Sequence, residues 1–380
     1  MSRGFAVTIS SLHQNRLMIL RAVFCLVFLV GIVPASFAHG DRKSVDLLIF
    51  GDSLSDTGNA AALGAGITFR PFEALIPSGP YATLRFTNGH TWVEQLAKKI
   101  GSPDTAEAVF LFPDKGRNYA VGGGRARSVP GSFNLPEQVG LFLSSTDSAL
   151  TRRDLVVTAV GGNDVRDAIV EFGSVLASGD TEQAAQLAAT QILCQAVASI
   201  EENIALLHDR GAKNVFVTNA PNIGMAPAIT GLKPQSPGIS MLGSELSALF
   251  NLLLVNGDTP LPGTGDLGIC ALNMVGIQGL LALESTLSGI DIVLFDVFTL
   301  LTEVVADPQA FDLSNGTDAC ITPGVFFGAI CRGAWEYVFW DGIHPTAAMH
   351  RIVAREAGGL LPVAGFAGKH GKVRRHFKRR

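Results

Sequence analysis

Val45-Asp46-Leu47-Leu48-Ile49-Phe50-Gly51-Asp52-Ser53-Leu54-Ser55-Asp56-Thr57-Gly58-Asn59 is the stretch on which the fold turns. Its first six residues are a short apolar run with β-branched members, stopped by a glycine. Such a run suits a strand buried on both faces, as in a parallel sheet. Ser53 follows at the carboxyl end of that strand, the edge where open α/β sheets bind ligands. From the stretch alone, Ser53 reads equally as a hydroxyl presented to a cleft or as the N-cap of a following helix.

Working outward, the same kind of run recurs at Leu155 to Val160, Asn214 to Thr218 and Ile290 to Phe295, with a shorter one at Asn118 to Val121. Helical patterns fall between and after them: Thr91 to Ile100, the Ala-rich Thr181 to Arg210, Ser240 to Asn256, Leu267 to Leu287 and Thr346 to Ala357. Pro345 precedes the last, a residue suited to a helix start. Strands alternating with helices predict an α/β fold with a parallel sheet. Neither a repeat nor an interdomain linker interrupts the pattern, so one domain is expected.

The two ends differ from this body. Of 29 Lys and Arg residues, three lie in the first 38 positions and seven in the last twelve, leaving 19 between them against 33 acids. An acidic body argues against a nucleic-acid partner. The basic tail, residues 367–380, suits weak contact with anionic surfaces or simply a solvated terminus. At the other end, Arg16 and Arg21 flank the apolar run Ala22 to Val33, and Ser36-Phe37-Ala38 follows. This is the pattern of a signal peptide, residues 1–38, cleaved to leave His39 first. The run is short of the ~20 apolar residues of a membrane span. An uncleaved anchor is the competing reading, and no later segment looks transmembrane. A secreted or periplasmic protein is expected.

Cys25 falls in that leader, leaving Cys194, Cys270, Cys320 and Cys331, an even number in an oxidising setting. None forms a C-x-x-C pair, so a zinc site is not expected. Cys320 and Cys331 flank one loop and are the natural local pair. Cys194 with Cys270 follows by elimination, and buried free thiols are the alternative.

Four ordered blocks carry the chemistry. Gly51-Asp52-Ser53-Leu54 is the first. Asn118-Tyr119-Ala120-Val121-Gly122-Gly123 is the second. Gly161-Gly162-Asn163-Asp164 is the third, and Trp340-Asp341-Gly342-Ile343-His344-Pro345 the last. Together they resemble the GDSL, or SGNH, hydrolases, and the string through Asn59 resembles their secreted lipase and esterase branch, with lecithinase- and hemolysin-like members. The resemblance runs from about Val45 to Ala357. It implies a single domain, residues 39–366, built on a five-stranded parallel sheet in flavodoxin-like order between helices.

The residue types fit acyl transfer. A serine hydroxyl is a poor nucleophile without a base. His344 supplies an imidazole, and Asp341, three residues earlier, can fold back to orient it. A capping arrangement ahead of the last helix is the plain alternative for that pair. The tetrahedral oxyanion needs fixed donors. The resemblance assigns these to the Ser53 N–H, the Gly122 N–H and the Asn163 side chain, with the register at Gly122, Gly123 and Gly124 left open. Asn163 reads otherwise as a helix N-cap. Gly263-Thr264-Gly265-Asp266-Leu267-Gly268 spells a dinucleotide fingerprint, but it follows a proline-containing loop rather than a first strand. No metal or cofactor is implied.

The reading is a secreted serine hydrolase acting on a small-molecule or lipid ester. A carbohydrate O-acetylesterase or an acyltransferase shares the same chemistry. An inactive secreted binding protein is the reading outside enzymes.

Overall fold

The computed structural model describes residues 45–64, 80–145, 148–258, 268–272, 275–321 and 330–361. The leader 1–38, the tail 367–380 and all of the Gly263–Gly268 string but its last residue lie outside them. The described residues belong to one compact unit, residues 44–380.

Strands β1 (Asp46–Gly51), β2 (Asp154–Ala159), β3 (Asn214–Thr218) and β4 (Asp291–Phe295) form a parallel sheet in the order β1-β2-β3-β4. Successive strand residues point to opposite faces, and the core divides accordingly. Leu48, Phe50, Val156, Val215, Val217, Ile292 and Leu294 pack on one side. Leu47, Ile49, Leu155, Val157, Phe216, Val293 and Phe295 pack on the other. Neither face meets water, which is why these segments are continuous apolar runs rather than alternating ones.

The sheet has four strands, not five. Residues 117–121 do run along β1: Ile49 N donates to Arg117 O at 2.9 Å, Tyr119 N to Ile49 O at 2.7 Å and Val121 N to Gly51 O at 3.2 Å. The segment nevertheless makes only isolated bridges at Asn118, to Ile49 and Ala108. One rung is missing: the Gly51 N–H, which would reach Tyr119 O in a continuous parallel ladder, donates instead to Gln138 Oε1 at 2.9 Å.

Helices α1 (Trp92–Ile100), α2 (Leu135–Ser144), α3 (Gly162–Ala177), α4 (Glu182–Asp209), α5 (Ile239–Asn256), α6 (Gly279–Thr286), α7 (Val297–Ala306) and α8 (Ala347–Leu360) cover the two faces. In α1 the Glu94 carboxylate accepts both the N–H (2.8 Å) and the hydroxyl (3.0 Å) of Thr91. In α8 the Thr346 hydroxyl accepts Met349 N–H at 3.2 Å. Both starts lie where the capping residues put them. The single helix expected over Leu267–Leu287 is instead a single helical turn, Ile269–Leu272, then the non-helical residues 275–278, then α6. Glu201 fixes that break by accepting the Gln278 and Gly279 N–H groups. Helix α5 is apolar and long enough to cross a membrane, yet Phe250, Leu253 and Leu254 bury its inner face in the core.

Cys194 on α4 is joined to Cys270, and Cys320 to Cys331. The second bond lies beside a small parallel pair, β5 (Asn315–Ala319) with β6 (Tyr337–Phe339). That pair delivers the chain to Asp341.

Candidate active site

β1 ends in a tight turn. Asp52 O accepts the N–H groups of Ser55 and Asp56, both at 3.0 Å. Asp52 Oδ1 accepts Leu54 N–H at 2.9 Å. Ser53 sits at the apex of this turn, and its own N–H has no acceptor among the described residues. Burial pushes the Asp52 carboxyl up to about 6, against the pull of the Leu54 N–H and of His344.

The chain returns to Ser53 from 291 residues away. His344 Nε2 lies 3.0 Å from Ser53 Oγ, and His344 Nδ1 lies 2.7 Å from Asp341 Oδ2. A loop between β6 and α8 holds this pair: Trp340 N–H donates to His344 O at 2.7 Å. Asp341 Oδ1 accepts the N–H groups of Ile343 (2.8 Å) and His344 (2.7 Å). Burial alone would raise the Asp341 carboxyl, but the adjacent imidazole and these bonds outweigh it and hold it below its ordinary value. An ionised Asp341 fixes the proton on Nδ1 and leaves Nε2 bare toward the serine.

Tyr81 completes that carboxylate, donating its hydroxyl to Asp341 Oδ2 at 2.6 Å. Burial, then the Asp341 charge, raise the phenol well above its usual range, so it stays a donor. Nothing local in the sequence marks Tyr81, which lies 260 residues from its partner.

The second and third blocks are joined to each other, and the second also to the turn that follows Ser53. Asn163 lies in the first turn of α3, behind the N-cap Gly161, so it is not itself the cap. Its Nδ2 donates one hydrogen to Gly124 O at 2.8 Å, and an amide nitrogen has a second to offer. The Gly122 N–H, however, is engaged: it donates to Asp56 Oδ2 at 2.8 Å. The Gly124 N–H goes to Val121 O at 3.0 Å. Of the three glycines, Gly123 alone has an N–H without an acceptor among the described residues, and its φ of +77° favours glycine. Among the described residues the unengaged amide of the three is therefore that of Gly123, not that of Gly122. Gly122 is required for a different reason: a Cβ there would lie 2.1 Å from Phe86 Cζ. The Phe86 ring in turn lies 5.4 Å from the His344 ring.

Asp164 ties the second block to the third, taking Ala126 N–H at 2.8 Å and Arg127 at 2.7 Å. An apolar cavity of about 100 Å³ flanks the nucleophile turn, lined among others by Leu54, Pro221, Ile223, Leu301, Ile343 and Met349.

A serine, an imidazole and a buried carboxylate in series, at the carboxyl edge of a parallel sheet, form the arrangement of serine hydrolases. The family is settled by comparison: the model of the GDSL-like lipase/acylhydrolase family matches residues 47–357, and the chain belongs to that family. A GDSL esterase/lipase of Arabidopsis thaliana is 26% identical over 87% of this chain and 90% of its own length. The phosphatidylcholine-sterol acyltransferase of Aeromonas hydrophila is 26% identical over 88% of this chain and 96% of its own. A third relative, the Arabidopsis inactive GDSL esterase/lipase-like protein 25, is 24% identical over 93% of this chain and 79% of its own.

Proposed function

We propose that this chain is an exported carboxylic ester hydrolase working through an acyl-Ser53 intermediate. The observation that carries the reading is the unbroken series Ser53 Oγ, His344 Nε2, His344 Nδ1, Asp341 Oδ2, with spacings of 3.0 and 2.7 Å. In the reaction Ser53 Oγ attacks the ester carbonyl while its proton passes to His344 Nε2. The carbonyl oxygen becomes an oxyanion, met by the N–H groups of Ser53 and Gly123 and the Asn163 amide. His344 then returns the proton to the leaving alkoxide. Water, deprotonated by the same imidazole, releases the acid and restores Ser53. The cavity beside Leu54 and Ile343 gives an apolar acyl chain a place to lie.

Ser53→Ala tests the assignment: hydrolysis of p-nitrophenyl esters should vanish while circular dichroism is unchanged. Full activity in the folded variant overturns the mechanism, and a wild type that hydrolyses no ester favours a binding protein.

The Aeromonas relative, by its name an acyltransferase, supports a second reading in which an alcohol replaces water as acceptor. Free acid against a new ester in the products separates the two. Export is supported by the leader pattern and by two disulfides. N-terminal sequencing of the exported protein should begin at His39, and an intact leader on a membrane-bound form would show an anchor instead.

A further inference from the structure

Asp56 has no part in the series above, yet it is completely buried, and among the described residues its carboxylate accepts from four groups, all backbone N–H. Oδ1 accepts from Gly58 and Asn59, both at 2.7 Å. Oδ2 accepts from Ala60 at 3.0 Å and from Gly122 at 2.8 Å. The first three bonds close the turn that follows the nucleophile. The fourth reaches 66 residues along the chain to the glycine loop. One carboxylate thus joins the segment carrying Ser53 to the segment carrying the oxyanion donor.

The rest of the loop is held from the opposite side. Gly124 O accepts the Asn163 amide at 2.8 Å and Gly123 O accepts Arg125 at 2.9 Å. Gly123 therefore lies between two clamps, Asp56 before it and Asn163 after it. We propose that Asp56 is a positioning residue that sets the register of the oxyanion loop. By taking the Gly122 N–H it leaves the Gly123 N–H as the donor that meets the ester oxygen. The inference rests on the serine-ester reading given above.

The chemistry of the side chain supports this. A carboxylate accepts on both oxygens, whereas an asparagine offers one acceptor oxygen and an NH₂ that cannot accept. Burial raises the Asp56 carboxyl to about 6 against the four N–H groups. A group that is expensive to ionise in place suits a position where no neutral side chain can bind both loops.

The test is kinetic. Asp56→Asn keeps the size of the side chain and turns one acceptor into a donor facing N–H groups. A folded Asp56→Asn enzyme should lose about 10²-fold in kcat on p-nitrophenyl butyrate with KM within threefold, the signature of a weakened oxyanion site. Combined with Asn163→Ala, the losses should fall well short of multiplying, because both act on the same charge. Asp154→Asn, a buried carboxylate at the opposite edge of the sheet, should lower Tm and leave kcat unchanged.

A measurement on the unmutated enzyme guards against a variant that fails to fold. Amide exchange by NMR, before and after phosphonylation of Ser53, reads the register directly, since the phosphoryl oxygen stands in for the oxyanion. Gly122 should be protected in both states and Gly123 only after labelling. Protection newly gained at Gly122, wild-type kcat in Asp56→Asn, or fully multiplicative losses would each overturn the inference. If Ser53→Ala is inactive while Asp56→Asn is normal, this inference alone fails. If Ser53→Ala remains active, the serine mechanism fails with it.

Discussion

Two buried carboxylates brace the site, and they behave oppositely. Asp341, in the loop before α8, accepts two backbone N–H groups, the Tyr81 hydroxyl and the His344 imidazole. Asp56, in the turn after β1, accepts four backbone N–H groups. Each has four bonds and almost no exposure, 4% and 0%. Asp341 is nevertheless held below its ordinary value, while Asp56 is pushed up to about 6. The difference is the neighbour. An imidazole that becomes cationic during the reaction favours the charged carboxylate, whereas amide dipoles only partly replace the water that Asp56 gave up. The carboxylate bonded to His344 has a charge partner, and the one bonded to the glycine loop has none among its bonded neighbours.

Breaking the Asp341 side of the comparison has the larger effect. Asp341→Asn should lower kcat by about 10⁴-fold with the fold intact, because the amide permits the wrong imidazole tautomer. Single-turnover release of p-nitrophenol measures it, and a loss under tenfold would mean that Asp341 does not orient His344. Tyr81→Phe should be milder, about tenfold in kcat, since it removes one of four bonds to the same carboxylate and the lost bond is worth about 1.5 kcal/mol. If Tyr81→Phe matched Asp341→Asn, the phenol would be doing more than supporting the carboxylate.

The smallest effect sharpens the Asp56 side and appears in stability rather than rate. Its folded-state value is raised, so its contribution is fully present below the unfolded value near 3.8 and is lost as pH rises through about 6. The Tm advantage of wild type over Asp56→Asn should therefore shrink between pH 4 and pH 6. The difference between the two proteins is the quantity to follow, because other groups titrate in the same range. His350, lowered to about 3 by burial, destabilises the fold as pH falls from 6.5. A Tm difference that is flat with pH would show that Asp56 is not raised.

What the sequence made legible was local. Strand runs such as Leu47 to Phe50 and helix starts such as Thr91 and Thr346 depend on neighbouring residues, and the structure has them close to where they were read. The four blocks are local too, and they contain Ser53, Asn163, Asp341 and His344. The rest depended on distant partners. Asp56 stands just after the first block, but the Gly122 N–H it takes is 66 residues away, so no local pattern could show that this amide is engaged. Tyr81 was invisible for the same reason. The helix start at Gly279 is fixed by Glu201, some 77 residues before Gln278, and the apolar sequence pattern runs on past it. Asn118 to Val121 has strand composition, but the Gly51 N–H that would extend its ladder is taken by the distant Gln138 side chain.

The crowding at Gly122 also bears on how the site can be redesigned. Its N–H is held by Asp56, and its α-carbon abuts Phe86, whose ring packs near that of His344. A side chain at 122 would press through Phe86 toward the base while prising the loop from its anchor. A library that randomises this loop should therefore leave 122 fixed. Diversity belongs instead at Leu301 and Met349, which line the cavity and lie outside the Ser53–His344–Asp341 series.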